Sequence, residues 1–196
     1  MRTFYFLRHG QTDWNVIGRM QGQSSDIPLN QTGLEQAKAA AKILSRYPID
    51  RVISSPLKRA FVTAEQTSQA LNVPIETDVR LLERNYGAIE GLTPEEINHA
   101  SPSQIFEPDV PPDLWGFRLP RGAEPMEQLA QRGQEVVSDC LGKYPSETLL
   151  FVAHGAWFRA LMHKLTAGKQ IIRSDNATPY RCALAKNSWK IDQLRL

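Results

Sequence analysis

The stretch Thr3-Phe4-Tyr5-Phe6-Leu7-Arg8-His9-Gly10 decides how the rest of the chain is read. Residues 3–7, rich in aromatics, have the composition of a short buried strand. An Arg-His pair follows at the strand's carboxyl end, and Gly10 permits a tight turn and a close approach to a ligand. In open parallel α/β sheets, ligands bind just beyond the carboxyl ends of strands. The pair therefore stands where a site is expected.

Two later junctions have the same form. Arg51 to Ser55 reads as a second strand, with Ser55 suited to an N-cap and Pro56 to the first position of a helix running to about Leu71. Arg59 falls one turn into that helix, so its side chain can reach back toward the strand end. Thr148 to Ala153 is continuously apolar, as a central strand buried on both faces should be. His154-Gly155 closes it, and Ala156 to Leu165 has helical spacing.

The remaining segments fill in an alternating pattern. Thr32-Gly33-Leu34-Glu35 has the form of a capping box, and Leu34, Ala37, Ala41 and Leu44 make the apolar stripe of the helix it opens. Val73 to Asp78 reads as an edge strand, Thr93-Pro94-Glu95-Glu96 caps a short helix, and Met126 to Cys140 has the spacing of a core-facing helix. Arg181 to Ala185 and Trp189 to Leu194 read as two final strands that either close the sheet or offer an edge to a homodimer. Strand and helix in alternation predict an α/β fold. Its expected form is a three-layer α/β/α sandwich with a mostly parallel central sheet, one domain over residues 1–196.

Two irregular stretches interrupt this order. Residues 11–28 form a polar loop with Trp14, Asn15, Gln21 and Gly22, longer than a connector needs to be. Residues 101–123 carry Pro102, Pro108, Pro111, Pro112 and Pro120, and read as a cover pinned to the body by Trp115 and Phe117. Trp14 and Trp157 read as packing residues.

Bulk properties narrow the function. The chain has 196 residues, 41% hydrophobic and 22% charged, which is ordinary for a globular enzyme-sized protein. A formal net charge of +2, with no run of Lys and Arg beyond a pair, disfavours nucleic acid or an anionic membrane as partner. No apolar run approaches the roughly 20 residues of a membrane span. Cys140 and Cys182 have neither metal-ligand nor disulfide-framework spacing, so they read as thiols of a reducing, cytoplasmic compartment. No metal site and no cofactor site is expected.

If the three strands lie parallel and side by side, Arg8, His9, Arg59 and His154 converge. Two guanidiniums, two imidazoles and a helix amino end suit a tetrahedral dianion, since Arg forks and helix N–H groups both bind phosphate oxygens. The combination of Leu7-Arg8-His9-Gly10-Gln11-Thr12, Trp14-Asn15, Ser54-Ser55-Pro56 with Arg59, Glu83 and Ala153-His154-Gly155 resembles the histidine phosphatase superfamily. That superfamily includes cofactor-dependent phosphoglycerate mutases and broad phosphomonoesterases. Each short motif is weak alone; their order and spacing together are specific.

The resemblance implies a phosphoglycerate mutase-like fold and a phosphohistidine mechanism acting on a small phosphorylated metabolite. His9 would be the nucleophile, and Arg8, Arg59 and His154 would hold the phosphoryl oxygens. Glu83 would be the general acid and base, with Glu90 a nearby competitor. Asn15 would add a phosphate hydrogen bond, and Gln21, Gly22, Tyr86 and Gly155 would contact substrate. Arg84, Arg118 and Arg121 would suit an acidic substituent. Only about forty residues separate Glu83 from Glu124, and no Arg-Arg pair lies between them, unlike mutases with a longer substrate-gripping insertion. The expectation is a phosphatase, with mutase-type transfer and a non-catalytic phospho-ligand module as alternatives.

Overall fold

The computed structural model describes residues 3–23, 26–108, 110–113 and 116–195. They form a sheet of six strands in the order β3-β2-β4-β1-β5-β6, where β1 is Thr3–Arg8, β2 Arg51–Ser54, β3 Ile75–Thr77, β4 Leu149–Ala153, β5 Pro179–Ala185 and β6 Ser188–Gln193. Strands β1, β2, β3 and β4 run parallel, and β5 lies antiparallel between β1 and β6. The helices are α1 (Asp13–Val16), α2 (Gln31–Leu44), α3 (Lys58–Leu71), α4 (Pro94–His99), α5 (Pro102–Ile105), α6 (Met126–Lys143) and α7 (Gly155–Leu165).

Strand alternation sorts the core into two layers. Tyr5, Leu7, Val52, Leu150 and Val152 pack on one face against Ala40 and Leu44 of α2 and Ala64 of α3. Phe4, Phe6, Ile53, Leu149 and Phe151 pack on the other against α6 and α7. There Phe6 stacks on Phe158 with ring centroids 3.7 Å apart, and Phe4 meets Phe151 edge-on at 5.5 Å. Every residue of β4 is buried, as its unbroken apolar run requires. The result is the expected α/β/α sandwich.

Several boundaries differ from the sequence reading, each for a physical reason. Helix α2 opens two residues earlier than the sequence reading has it: Asn30, not Thr32, is its cap, its side chain accepting from Gly33 N at 2.8 Å. Helix α3 begins at Lys58, so Arg59 sits at its second residue. Ser55 is not the cap, and the amide of Lys58 donates instead to Asp26 Oδ1 at 2.7 Å, a carboxylate brought from the preceding loop. The 11–28 loop contains α1, closed by a capping box between Thr12 and Asn15. In the 101–123 segment, Trp115 lies outside the described residues and Phe117 is 52% exposed, so Phe117 does not pin it. Ile105, buried on α5, and an antiparallel bridge between Phe106 and Pro120 hold that segment instead.

Candidate active site

Strands β2, β4 and β1 are adjacent and parallel, so their carboxyl ends bring Arg59, His154 and the Arg8-His9 pair to one rim of the sheet. Arg8, His9, Asn15, Gln21, Gly22, Arg59, Glu83 and Tyr86 all line one cleft of about 270 Å³, together with Trp14. Gly155 lies in an adjoining cavity that also reaches Arg8, Glu83 and Tyr86. His154 is fully buried and is not among the residues lining the cleft; the centroid of its ring is 5.2 Å from that of His9.

His9 is almost fully buried, and its Nδ1–H donates to the carbonyl of Gly10 at 2.7 Å. A carbonyl only accepts, so this bond fixes the proton on Nδ1 and leaves the lone pair on Nε2. Burial, then the guanidiniums of Arg59 and Arg8, hold the imidazole well below the usual histidine range. His9 is therefore neutral at neutral pH, with one nitrogen free to attack. Gly10 is required here because a Cβ would stand 2.4 Å from the carbonyl oxygen of Gly33.

The two arginines are themselves anchored. Arg8 donates from Nη1 to Ser174 O at 2.7 Å, and Arg59 donates from Nη2 to Gly22 O at 2.9 Å. Burial lowers the pKa of each, and the Glu83 carboxylate opposes that shift. Both remain cations, since guanidinium does not lose its proton in proteins. Such desolvated positive charge calls for an anion.

His154 is tied to Ser55, with Nε2 2.8 Å from the hydroxyl oxygen, and Ser55 Oγ accepts from Leu57 N at 3.3 Å. A hydroxyl that accepts the amide is best satisfied by donating to Nε2, which places the imidazole proton on Nδ1. That nitrogen is buried without a partner, as is Arg8 Nε. Burial, then the guanidiniums of Arg59 and Arg8, depress the His154 pKa as well.

Glu83 is held by the amino end of α7. Its Oε1 accepts from Arg84 N and Trp157 N at 2.8 and 3.0 Å, and its Oε2 accepts from Ala156 N at 3.1 Å. Arg132 of α6 clamps the same turn, donating to the carbonyls of Arg80, Leu82 and Glu83 while forking onto Glu124. Glu90, the competitor by sequence, instead accepts from Gln23 N and Tyr86 N through Oε1, beneath Gly22. Burial, then Glu83, raises the pKa of the Tyr86 phenol.

The 11–28 loop is braced from afar. Thr12 Oγ1 donates to Gln21 Oε1 at 3.0 Å, and Asn176 Nδ2 reaches both His9 O and Asn15 Oδ1. Sequence reading missed Ser55, Arg132, Ser174 and Asn176 as site supports. The three arginines read as suiting an acidic substituent are engaged elsewhere. Arg84 donates to Glu124 O, Arg118 lies over the Phe106 ring and Arg121 donates to Ser103 O; none of them lines the cleft. Trp14, read as packing, lines it, while Trp157 is core. Among the described residues there is no group of three His, Cys, Asp or Glu able to hold a metal ion, and no helix is long and apolar enough to cross a membrane.

Comparison with known proteins points the same way. The family model of the histidine phosphatase superfamily (branch 1) matches residues 4–196. The chain is 33% identical over 194 residues to an uncharacterized phosphatase, PhoE, of Bacillus subtilis, covering 97% of this chain and 93% of that one. It is 36% identical over 155 residues to a probable phosphoglycerate mutase, GpmB, of Proteus mirabilis, covering 79% and 70% respectively. Among solved structures, a mycobacterial glucosyl-3-phosphoglycerate phosphatase complexed with VO3 superposes with a TM-score of 0.83 at 27% identity, covering 98% of both chains.

Proposed function

Because this chain belongs to the histidine phosphatase superfamily, we propose that it hydrolyses a small phosphomonoester through a phosphohistidine on His9. The observation that carries this reading is the state of the His9 ring. It is neutral, with its proton committed to Gly10 O, and its free Nε2 belongs to a residue lining a cleft with two arginines.

In the first half-reaction Nε2 attacks phosphorus as the bond to the leaving oxygen breaks. Arg8 and Arg59 neutralise the equatorial oxygens of the loose transition state, and His154 offers its partnerless Nδ1–H. Glu83 enters the cycle protonated on Oε2, the oxygen carrying one backbone donor rather than two, and gives that proton to the departing alkoxide. Water then attacks phosphorus as the bond to His9 Nε2 breaks, Glu83 takes the water's proton, and phosphate leaves with the neutral His9 ring restored.

Hydrolysis is favoured over transfer to a second hydroxyl because none of the described residues of 101–123 lines the cleft, so none of these walls it from water. The resemblance to a probable phosphoglycerate mutase supports mutase-type transfer as the second reading. The test is phosphate release from a panel of phosphomonoesters in the presence of a chelator, comparing wild type with His9→Ala. Release abolished in the variant is expected. Conversion of 3-phosphoglycerate to 2-phosphoglycerate without phosphate release would favour the mutase, and phosphate binding with neither activity would favour a binding module.

A further inference from the structure

The two edges of the sheet differ in length. Strand β3 offers three residues, whereas β6 offers six, Ser188 to Gln193. Lys186 and Asn187, with φ of 46° and 63°, form the two-residue turn that joins β5 to β6, so Ala185 and Ser188 flank it as a hydrogen-bonded pair. At the far end Leu194 N donates to Pro179 O at 2.9 Å. Both observations give the same parity: Ser188, Lys190, Asp192 and Leu194 turn their backbone groups toward β5. Trp189, Ile191 and Gln193 therefore turn theirs outward, and among the described residues nothing pairs with them.

Alternation places the side chains as well. Trp189 and Ile191 are half-buried against the core on the side of α6 and α7. Lys190 and Asp192 stand on the opposite face, where they pair at 3.1 Å with 74% of the lysine side chain exposed. Asp192 also lies opposite Arg181 in the β5–β6 register.

Exposed edges are ordinarily guarded by charge, because a row of one sign repels a second copy of itself. Here a cation and an anion stand two residues apart, and that order is self-complementary. In an antiparallel pair centred on Ile191, the outward N–H and C=O groups of Ile191 meet those of the partner's Ile191, and Trp189 meets the partner's Gln193. Lys190 then falls opposite the partner's Asp192, which its own Arg181 flanks on the other side. We propose that β6 is the contact of a two-fold homodimer, in which two six-stranded sheets join edge to edge. Every contact is made twice, as an isologous interface requires. The proposal is independent of the reaction, since none of these residues lines the cleft.

Sedimentation of the full chain from about 10 µM to about 1 mM tests it, with Lys190→Asp, Asp192→Lys and Gln193→Pro. Wild type should show a concentration-dependent dimer. Either charge reversal alone sets like charges opposite one another and should weaken dimerisation about tenfold. Mixed in equal amounts, the two reversed chains complement each other and should associate with wild-type affinity. Gln193→Pro removes an outward N–H and leaves the β5 ladder intact, so it should keep a native circular dichroism spectrum and lose the dimer. Monomeric wild type throughout overturns the proposal and leaves the edge to an extended segment of another protein. A dimer that none of the variants weakens also overturns it, as do folded reversed chains that fail to associate when mixed.

Discussion

His9 and His154 sit 5.2 Å apart, yet their second nitrogens are committed differently, His9 to a carbonyl and His154 to a hydroxyl. A carbonyl dictates the tautomer outright, whereas a hydroxyl can donate or accept and favours the Nδ1–H form of His154 because its oxygen already accepts from Leu57 N. Ser55 is therefore a positioning residue for His154. Ser55→Ala should lower kcat about tenfold by freeing the tautomer, with a smaller change in KM, and Ser55→Thr, which keeps the hydroxyl, should restore much of it. Steady-state kinetics on both variants decides the matter; equal kcat in Ser55→Ala and wild type would exclude the role.

At the scale of elements, α6 contributes to the site without touching the cleft. Arg132 holds three carbonyls of the turn that carries Glu83 and forks onto Glu124, with 18% and 14% of the two side chains exposed. Removing such a partner leaves three carbonyls and a half-buried carboxylate without their guanidinium. Arg132→Gln should cost about 3 kcal/mol in urea unfolding and reduce kcat more than it alters KM. Unchanged stability would mean the clamp is dispensable. Nothing in the sequence around Arg132 marks it, because its partners are 8 to 52 residues away. The strands, by contrast, were readable from local runs of apolar residues, and the Thr93 cap from its own four-residue motif. The α3 cap was not, since it comes from Asp26, 32 residues upstream. Local patterns reveal what short-range forces build; long-range bonds appear only once the chain is folded.

For the whole molecule, the convergence of the Arg8-His9, Arg59 and His154 junctions was legible because strand-to-helix transitions in a parallel sheet all open on one rim. The segment carrying Arg173 to Asn176 was not, since Asn176 meets His9 across 167 positions of sequence. Assembling this site also links folding to pH. His9 and His154 have pKa values well below 6.5 in the fold, mainly through burial. Between that depressed value and about 6.5 the unfolded chain binds protons that the folded chain does not, so stability falls as pH drops below about 6.5. The slope is at most about 1.4 kcal/mol per pH unit for each ring. Thermal melts should show Tm declining over this window, less steeply in His9→Asn. A Tm independent of pH there would contradict the burial of both neutral rings.

In the proposed mechanism the phosphoryl group passes through His9. Rapid mixing with a phosphomonoester, alkaline quenching and peptide mass mapping would test it directly. The expected result is a transient phosphoryl adduct on His9 that is stable to alkali, labile to acid and formed before phosphate appears. Steady turnover with no adduct on His9, or turnover that survives His9→Ala, would contradict it.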